Sequence, residues 1–478
     1  MSESDTPAAL PSSAAPSRFL PMLLAVAVFM QMLDATILNT ALPQMAADLH
    51  QPPLQMQSAV VSYALTLALL MPLSGYLCDR FGTRQVFFVS LLVFVAGSVL
   101  CAAAPNLNTL VFARVVQGAG GAMLAPAPRI IIMKSYEKTE LIGMMNYVVM
   151  PALLGPVIGP LLGGYLVEYA GWHWIFLINV PFGLAAAWFT LKIMPDYKET
   201  EHPPHFDIAG FLLFGGGAVG LSMAVEIAQF PGAGLFAVLA ALMSLAAIGL
   251  YWRHARHDSE PLYSRELLRV RTYRIGLSGN LASRLGMGAV PFLLPLLLQV
   301  AFGHSASVSG RMLAPVALAT LAAKPAIRPL MARFGYRRVL TVNTALIGLL
   351  IMALSLPSAD TPLWQLMPLL LLIGAVNSIQ FTGMNSLTLA DLHPQQAGSG
   401  ASLMTVNQQL ATGFGIAIGA ALLQYFGKLP PIGGNVSAAF RLTFLSIGLL
   451  TLLSALIFAR LHRSDGENLI RAARTGGQ

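Results

Sequence analysis

Apolar runs long enough to cross a bilayer follow one another along nearly the whole chain, separated by short polar stretches. A span needs about 20 mostly apolar residues, because the hydrocarbon core is about 30 Å thick and a helix rises about 1.5 Å per residue. That rule predicts fourteen helices, at 19–40, 54–78, 85–104, 107–131, 141–167, 174–194, 207–228, 234–253, 274–300, 308–331, 337–357, 362–382, 399–426 and 438–460. The fold class is therefore all-α membrane protein. Residues 1–18, rich in Ser, Pro and Ala, and residues 461–478 read as polar tails, the first of them disordered.

Composition agrees with the pattern. Of 478 residues 56% are hydrophobic and only 10% charged, against roughly 25% charged in soluble domains. A net charge of +8 would point to nucleic acid in a soluble protein, but here the basic residues mark one membrane face. Arg80, Arg84, Lys134, Lys138, Lys198, the six arginines from Arg253 to Arg274, and Arg333, Arg337 and Arg338 all fall in alternate connections; the tail adds Arg460, Arg463, Arg471 and Arg474. The other connections hold almost none, Lys428 being the clearest exception. Excess Lys and Arg stay cytoplasmic, so both termini are expected in the cytoplasm. The two cysteines, Cys78 and Cys101, fall toward opposite faces, and no disulfide is expected.

The chain also repeats itself. GYLCDRFGTRQ at 75–85 joins helices 2 and 3, and RPLMARFGYRR at 328–338 joins helices 10 and 11. The shared R-F-G-x-R sets Arg80, Gly82 and Arg84 opposite Arg333, Gly335 and Arg337. Residues 19–194 and 274–460 then form two six-helix bundles, with helices 7 and 8 and their loops, 195–273, inserted between them. Internal repeats of this kind are common in transporters.

These stretches resemble a known family. GYLCDRFGTR is similar to the loop signature of the major facilitator superfamily, and LDATILNTALP to the first-helix signature of its fourteen-helix drug:proton antiporter branch, the EmrB/QacA-like proteins and the MdtD-like group among them. RVVQGAGGAM (114–123), GPVIGPLLGG (155–164) and WHWIFLINVP (172–181) resemble the fourth-, fifth- and sixth-helix motifs. The resemblance implies the major facilitator fold in a bacterial inner membrane, with small molecules and protons as partners. It implies a gating loop at Gly75, Asp79, Arg80, Gly82 and Arg84, repeated at Arg333, Gly335 and Arg337, that clasps the halves in one state. It also implies a seam between halves along Gly155, Pro156, Gly159, Pro160, Gly163 and Gly164. The second loop departs from the pattern, with Ala332 where the first has Asp79. A periplasmic adaptor is left open.

One charge demands an explanation. Asp34 lies in the otherwise apolar helix 1, where a buried charge costs roughly 2.5 to 3.5 kcal/mol on insertion scales. It is six residues below Thr40, and Arg114 is seven residues in from Leu107 on a helix of opposite direction; both depths come to about 10 Å. A switchable Asp34–Arg114 pair on the cavity side of the first half would let proton and cargo compete for one carboxylate. The alternative is that Asp34 bonds structurally to Thr36 or Asn39.

Further cavity candidates are Thr36, Asn39, Gln117, Asn280, Arg284, Asn377, Gln380 and Asn407; many polar groups of the second half could equally bridge helices. The glycine stripe Gly155, Gly159, Gly163 offers a flat face for close packing. Glu226 falls near the outer surface, and Arg129, Lys324 and Arg328 lie where long side chains snorkel. No phosphate-binding loop, H-E-x-x-H, C-x-x-C or G-x-S-x-G occurs, so neither enzyme chemistry, cofactor nor metal is expected, and no nucleic acid. The function expected is proton-coupled efflux of small, mainly apolar or cationic compounds. The alternative is export of anionic metabolites or metal chelates, since Arg114 and Arg284 outnumber the one deep acid.

Overall fold

A computed structural model describes residues 17–137, 139–198, 205–228, 232–258, 260–393, 396–430 and 434–469. The expected tail at 1–16, Lys138, and Arg471 and Arg474 lie outside the described residues, which are helical throughout the spans and contain no strand. The spans are α1 (Leu20–Thr40), α2 (Pro53–Leu70), α3 (Thr83–Ala102), α4 (Leu107–Ser135), α5 (Gly143–Tyr169), α6 (Trp174–Ile193), α7 (Ile208–Ile227) and α8 (Gly234–His254). They continue with α9 (Arg271–Ala301), α10 (Ala306–Ala322 with Lys324–Phe334), α11 (Tyr336–Ala353), α12 (Leu363–Leu389), α13 (Ala397–Lys428) and α14 (Val436–Ala459).

The differences from the expected boundaries have local causes. Helix 2 was expected to run to residue 78, but α2 stops at Leu70 and a short helix, Leu73–Phe81, follows behind Pro72. α10 bends by 53° at Ala323, just ahead of Pro325. Proline lacks the N–H that the helix ladder needs and its ring crowds the preceding turn. In both copies of the repeated loop a glycine ends one helix and starts the next with positive φ, +91° at Gly82 and +75° at Gly335. Only glycine holds that conformation without strain.

Packing repeats along with sequence. α1 lies on α5 as α9 lies on α13; α2 on α4 as α10 on α12; α3 on α6 as α11 on α14. Each pairing within the first half thus recurs in the second with its numbers raised by eight, and between halves α5 meets α10 as α13 meets α2. The end of the molecule with few basic residues, called the outer end below after the charge pattern, is closed. There the Gln299 amide donates to the Thr40 carbonyl at 3.0 Å, and the Ser307 N–H donates to the Glu168 carboxylate at 3.0 Å. Gly164 lies against the backbone of Ala306, and Gly310 against that of Pro160, contacts that a β-carbon on either glycine would obstruct.

The inserted pair is more than a tether. α7 and α8 pack on each other, and α7 also touches α2 of one half and α13 of the other. α8 exposes Phe236, Leu242 and Met243, as a lipid-facing helix does. Its C-terminal end is tied down by Asp207, which caps α7 by accepting from the Gly210 N–H at 2.6 Å and from the Leu262 N–H at 3.1 Å, with His254 Nε2 at 2.8 Å. Burial alone would raise the Asp207 pKa, but these donors outweigh it and hold the carboxyl below its ordinary range.

Candidate functional site

The motif glycines of α4 decide how the site is assembled. Gly118 rests on Thr66 and the Tyr63 carbonyl of α2, Gly120 on the backbone of Ser90 and Phe94 in α3, and Gly97 of α3 on the backbone of Gln117. A side chain at any of these would push the helices apart. With none, α2, α3 and α4 come close enough for polar groups of one to reach the backbone of another.

Arg114 and Gln117, one turn apart on α4, therefore share a face and meet Asp34 of α1. Arg114 Nη1 donates to Asp34 Oδ2 at 2.7 Å, Gln117 Nε2 to Oδ1 at 2.7 Å, and Asn179 Nδ2 of α6 to Oδ1 at 3.2 Å. The guanidinium also donates from Nη1 to Gln117 Oε1 at 2.6 Å and from Nε to the Ala59 carbonyl at 3.2 Å, and its carbon lies 4.0 Å from the Tyr63 ring centroid. Gln117 in turn donates to Ser98 Oγ at 2.9 Å. Asp34, Arg114 and Asn179 are each 1% exposed, so the ion pair is dry. A dry pair of this kind is tolerated only when its remaining lone pairs and protons find partners, and here both carboxylate oxygens and the guanidinium Nη1 and Nε have them.

The expected acid–arginine pair is thus present as a direct contact, and the structural alternative with Thr36 or Asn39 is absent. One expectation changes. The pair does not line a cavity but sits inside the first bundle, because amide and guanidinium donors from α4 and α6 solvate the carboxylate in place of water. The Thr36 hydroxyl instead has the Met32, Leu33 and Gly155 carbonyls as acceptors within reach of its one proton, and Asn39 is buried. Asn179 and Ser98 were not anticipated. Asn179 had a signal: it is an amide in the apolar WHWIFLINVP stretch, five residues in from Trp174, at about 8 Å and so level with Asp34.

The glycine stripe of α5 also needs correcting. Gly155, Gly159 and Gly163 face Met32, Thr36 and Ile37 of α1, within the same half, while Gly164 and Pro160 touch α10 of the other. α5 is a two-sided element, with α1 on one face and the opposite bundle on the next. A stripe at i, i+4, i+8 identifies a packing face but not the partner.

In the first loop, Asp79 pairs with Lys134 at 2.8 Å, and the Arg84 N–H donates to Asp196 at 3.1 Å. Arg80 donates to the Tyr76 hydroxyl at 3.0 Å, and Gly75 has open space around it. In the second half, two of the expected cavity groups bond across helices, and a third is sealed in with neither of its side-chain polar atoms bonded. Asn407 donates to the Leu277 carbonyl, Gln380 accepts from Asn343, and Asn280 is fully buried. Asn377 is half-buried. Arg284 has neither hydrogen bond nor carboxylate among the described residues; its guanidinium carbon lies 4.9 Å from the Phe381 ring centroid.

Comparison with known proteins places this arrangement. The chain matches the Major Facilitator Superfamily over residues 24–416 and 276–475. It is 42% identical over 460 residues to a protein of Cronobacter sakazakii named, provisionally, multidrug resistance protein MdtD, covering 95% of this chain and 96% of that one. A relative of the same name from Escherichia coli is 40% identical over 457 residues, 95% of this chain and 96% of its own. Among solved structures, the POT family transporter PepTSo superposes with a TM-score of 0.68 at 14% identity, over 96% of this chain and 99% of that one, which is a likeness of fold. The chain is a multi-pass membrane protein, and it belongs to the major facilitator superfamily.

Proposed function

We propose that this protein is a proton-coupled secondary transporter that exports small, mainly apolar or cationic compounds by alternating access, with Asp34 and Arg114 as its coupling pair. The observation that carries the reading is one carboxylate, dry and fully bonded, inside a bundle whose relatives are named for multidrug resistance. A buried charge in a membrane protein is costly and by default functional.

The mechanism follows from what the carboxylate holds together. While ionised, Asp34 ties α1 to Arg114 and Gln117 of α4 and Asn179 of α6. A proton arriving from the outer side cancels the charge, so the guanidinium loses its partner and one of the three contacts must break. α1 is then free to shift on the glycine face of α5. The other face of α5 bears on α10 of the second half, so a small movement at α1 reaches the contact that closes the outer end. Cargo enters from the cytoplasm when that end is sealed; re-ionisation of Asp34 on the cytoplasmic side resets the pair. Each state is favoured only by its differential affinity for proton or cargo. The loop at Asp79 and Lys134 steadies one state on the cytoplasmic face of a bacterial inner membrane, with both termini on that side.

A second reading, export of anions, has one observation in its favour: Arg284 lacks a counter-charge among the described residues. Reconstituted protein under an imposed pH gradient, tested with cationic dyes and small organic acids, separates the readings. Uncoupler-sensitive flux of cations, unharmed by Arg284→Glu, supports the first; acid flux abolished by Arg284→Glu supports the second. Absence of any gradient-dependent flux contradicts both.

A further inference from the structure

The second copy of the repeated loop has lost the charges that close the first. In the first copy Asp79 answers Lys134, and Asp196, just past the end of α6, answers Arg84. In the second copy Ala332 replaces the loop aspartate, and the first four residues past the end of α14, Arg460 to Arg463, hold no acid to match Asp196 and bring Arg463 instead. Arg463 shares a cleft of about 410 Å³ with Arg337 and Arg338 at the cytoplasmic end of α11. None of the three forms an ion pair among the described residues. Asp465, nearby in sequence, turns away to accept the His462 N–H at 2.7 Å.

Two further observations say what the cleft holds. Its wall includes Thr341, whose buried hydroxyl has no hydrogen-bond partner, although helical threonines usually bond the carbonyl one turn back. The rest is apolar and open to the side, with Phe334 47% and Val342 66% exposed at the rim. Three guanidiniums and a free hydroxyl over an apolar flank, at the cytoplasmic membrane surface, match an amphiphile with an anionic phosphate head and acyl chains. A soluble anion would leave the apolar flank unused.

We propose that this cleft binds an anionic glycerophospholipid of the inner leaflet, with its phosphate on Arg337, Arg338 and Arg463 and the Thr341 hydroxyl, and its chains along Phe334 and Val342. The lipid supplies in the second half the negative charge that Asp79 and Asp196 supply in the first, and so closes the second loop. Basic pockets between transmembrane helices on the cytoplasmic side take anionic head groups for the same electrostatic reason.

The test is lipid binding to the purified full chain by native mass spectrometry, with phosphatidylglycerol against phosphatidylcholine. Wild type retains phosphatidylglycerol preferentially. Arg338→Gln with Arg463→Gln weakens that binding, by about fivefold per arginine and on the order of 25-fold for the pair, while Arg338→Lys with Arg463→Lys keeps the preference. Both arginines are exposed, so neither variant disturbs the core, and thermal unfolding of each verifies this. Equal retention of both lipids by wild type, an unchanged preference in the double glutamine variant, or equally tight binding of glycerol phosphate without acyl chains overturns the proposal.

Discussion

Replacing Asp34 by Asn keeps the shape of the side chain and removes its charge. Asn can still accept from one of the groups now bonded to Asp34, but its own N–H2 then faces a donor, either Gln117 Nε2 or Arg114 Nη1. Arg114 is left 1% exposed without a counter-charge, a change that costs 3–5 kcal/mol for a typical buried pair. The Ala59 carbonyl, Gln117 Oε1 and the Tyr63 face remain to it, so the loss here falls near the lower end, about 3 kcal/mol. Arg114→Gln strands the carboxylate at a similar cost. The double variant strands neither, and it is expected to unfold closer to wild type than either single variant does. Transport separates from stability: in everted vesicles both singles and the double lose substrate efflux driven by the pH gradient. Additive single-variant losses in thermal unfolding would show that the two side chains are not coupled, and wild-type efflux by Asp34→Asn would refute the coupling role.

Three other outcomes follow. Gly164→Val places side-chain atoms against the Ala306 backbone and opens the outer end; a single cysteine at Ser307 then reacts faster with a membrane-impermeant maleimide, against a low background because Cys78 and Cys101 are buried, and unchanged labelling would refute the closure. Asp79 and Lys134 are about one-third exposed, so Asp79→Asn costs under about 1 kcal/mol of stability yet slows exchange severalfold; unaltered exchange would leave the loop a mere anchor. Because the folded Asp207 pKa lies below its unfolded value, its contribution is present above the ordinary carboxylate range and lost as pH falls through the folded value. Protection from hydrogen exchange in the first turn of α7, taken relative to the intrinsic rate at each pH, should fall over that acid window, and Asp207→Ala, which removes a cap worth about 1 kcal/mol, should abolish that fall.

Much of this was legible in the sequence because lipid enforces simple rules. The spans follow from apolar length, the two halves from the repeated R-F-G-x-R loop, and the Asp34–Arg114 pair from equal depth on antiparallel helices. Direction around each helix axis was not legible. A helix in a bilayer is apolar on nearly every side and so lacks the stripe that reveals the buried face of a soluble helix. Gln380 and Asn407 therefore looked like cavity groups, although an amide that bridges helices has the same sequence appearance. For the same reason the stripe of Gly155, Gly159 and Gly163 was assigned to the wrong neighbour, and Asn179 was passed over in a largely apolar motif.

The central claim is that Asp34 gives up or takes up the proton exchanged for cargo. Purified protein in weakly buffered detergent, mixed with an exported dye in the presence of a pH indicator, measures this without a membrane. The account predicts close to one proton released per dye bound by wild type and none by Asp34→Asn at matched occupancy. Equal proton release from the two proteins would contradict it.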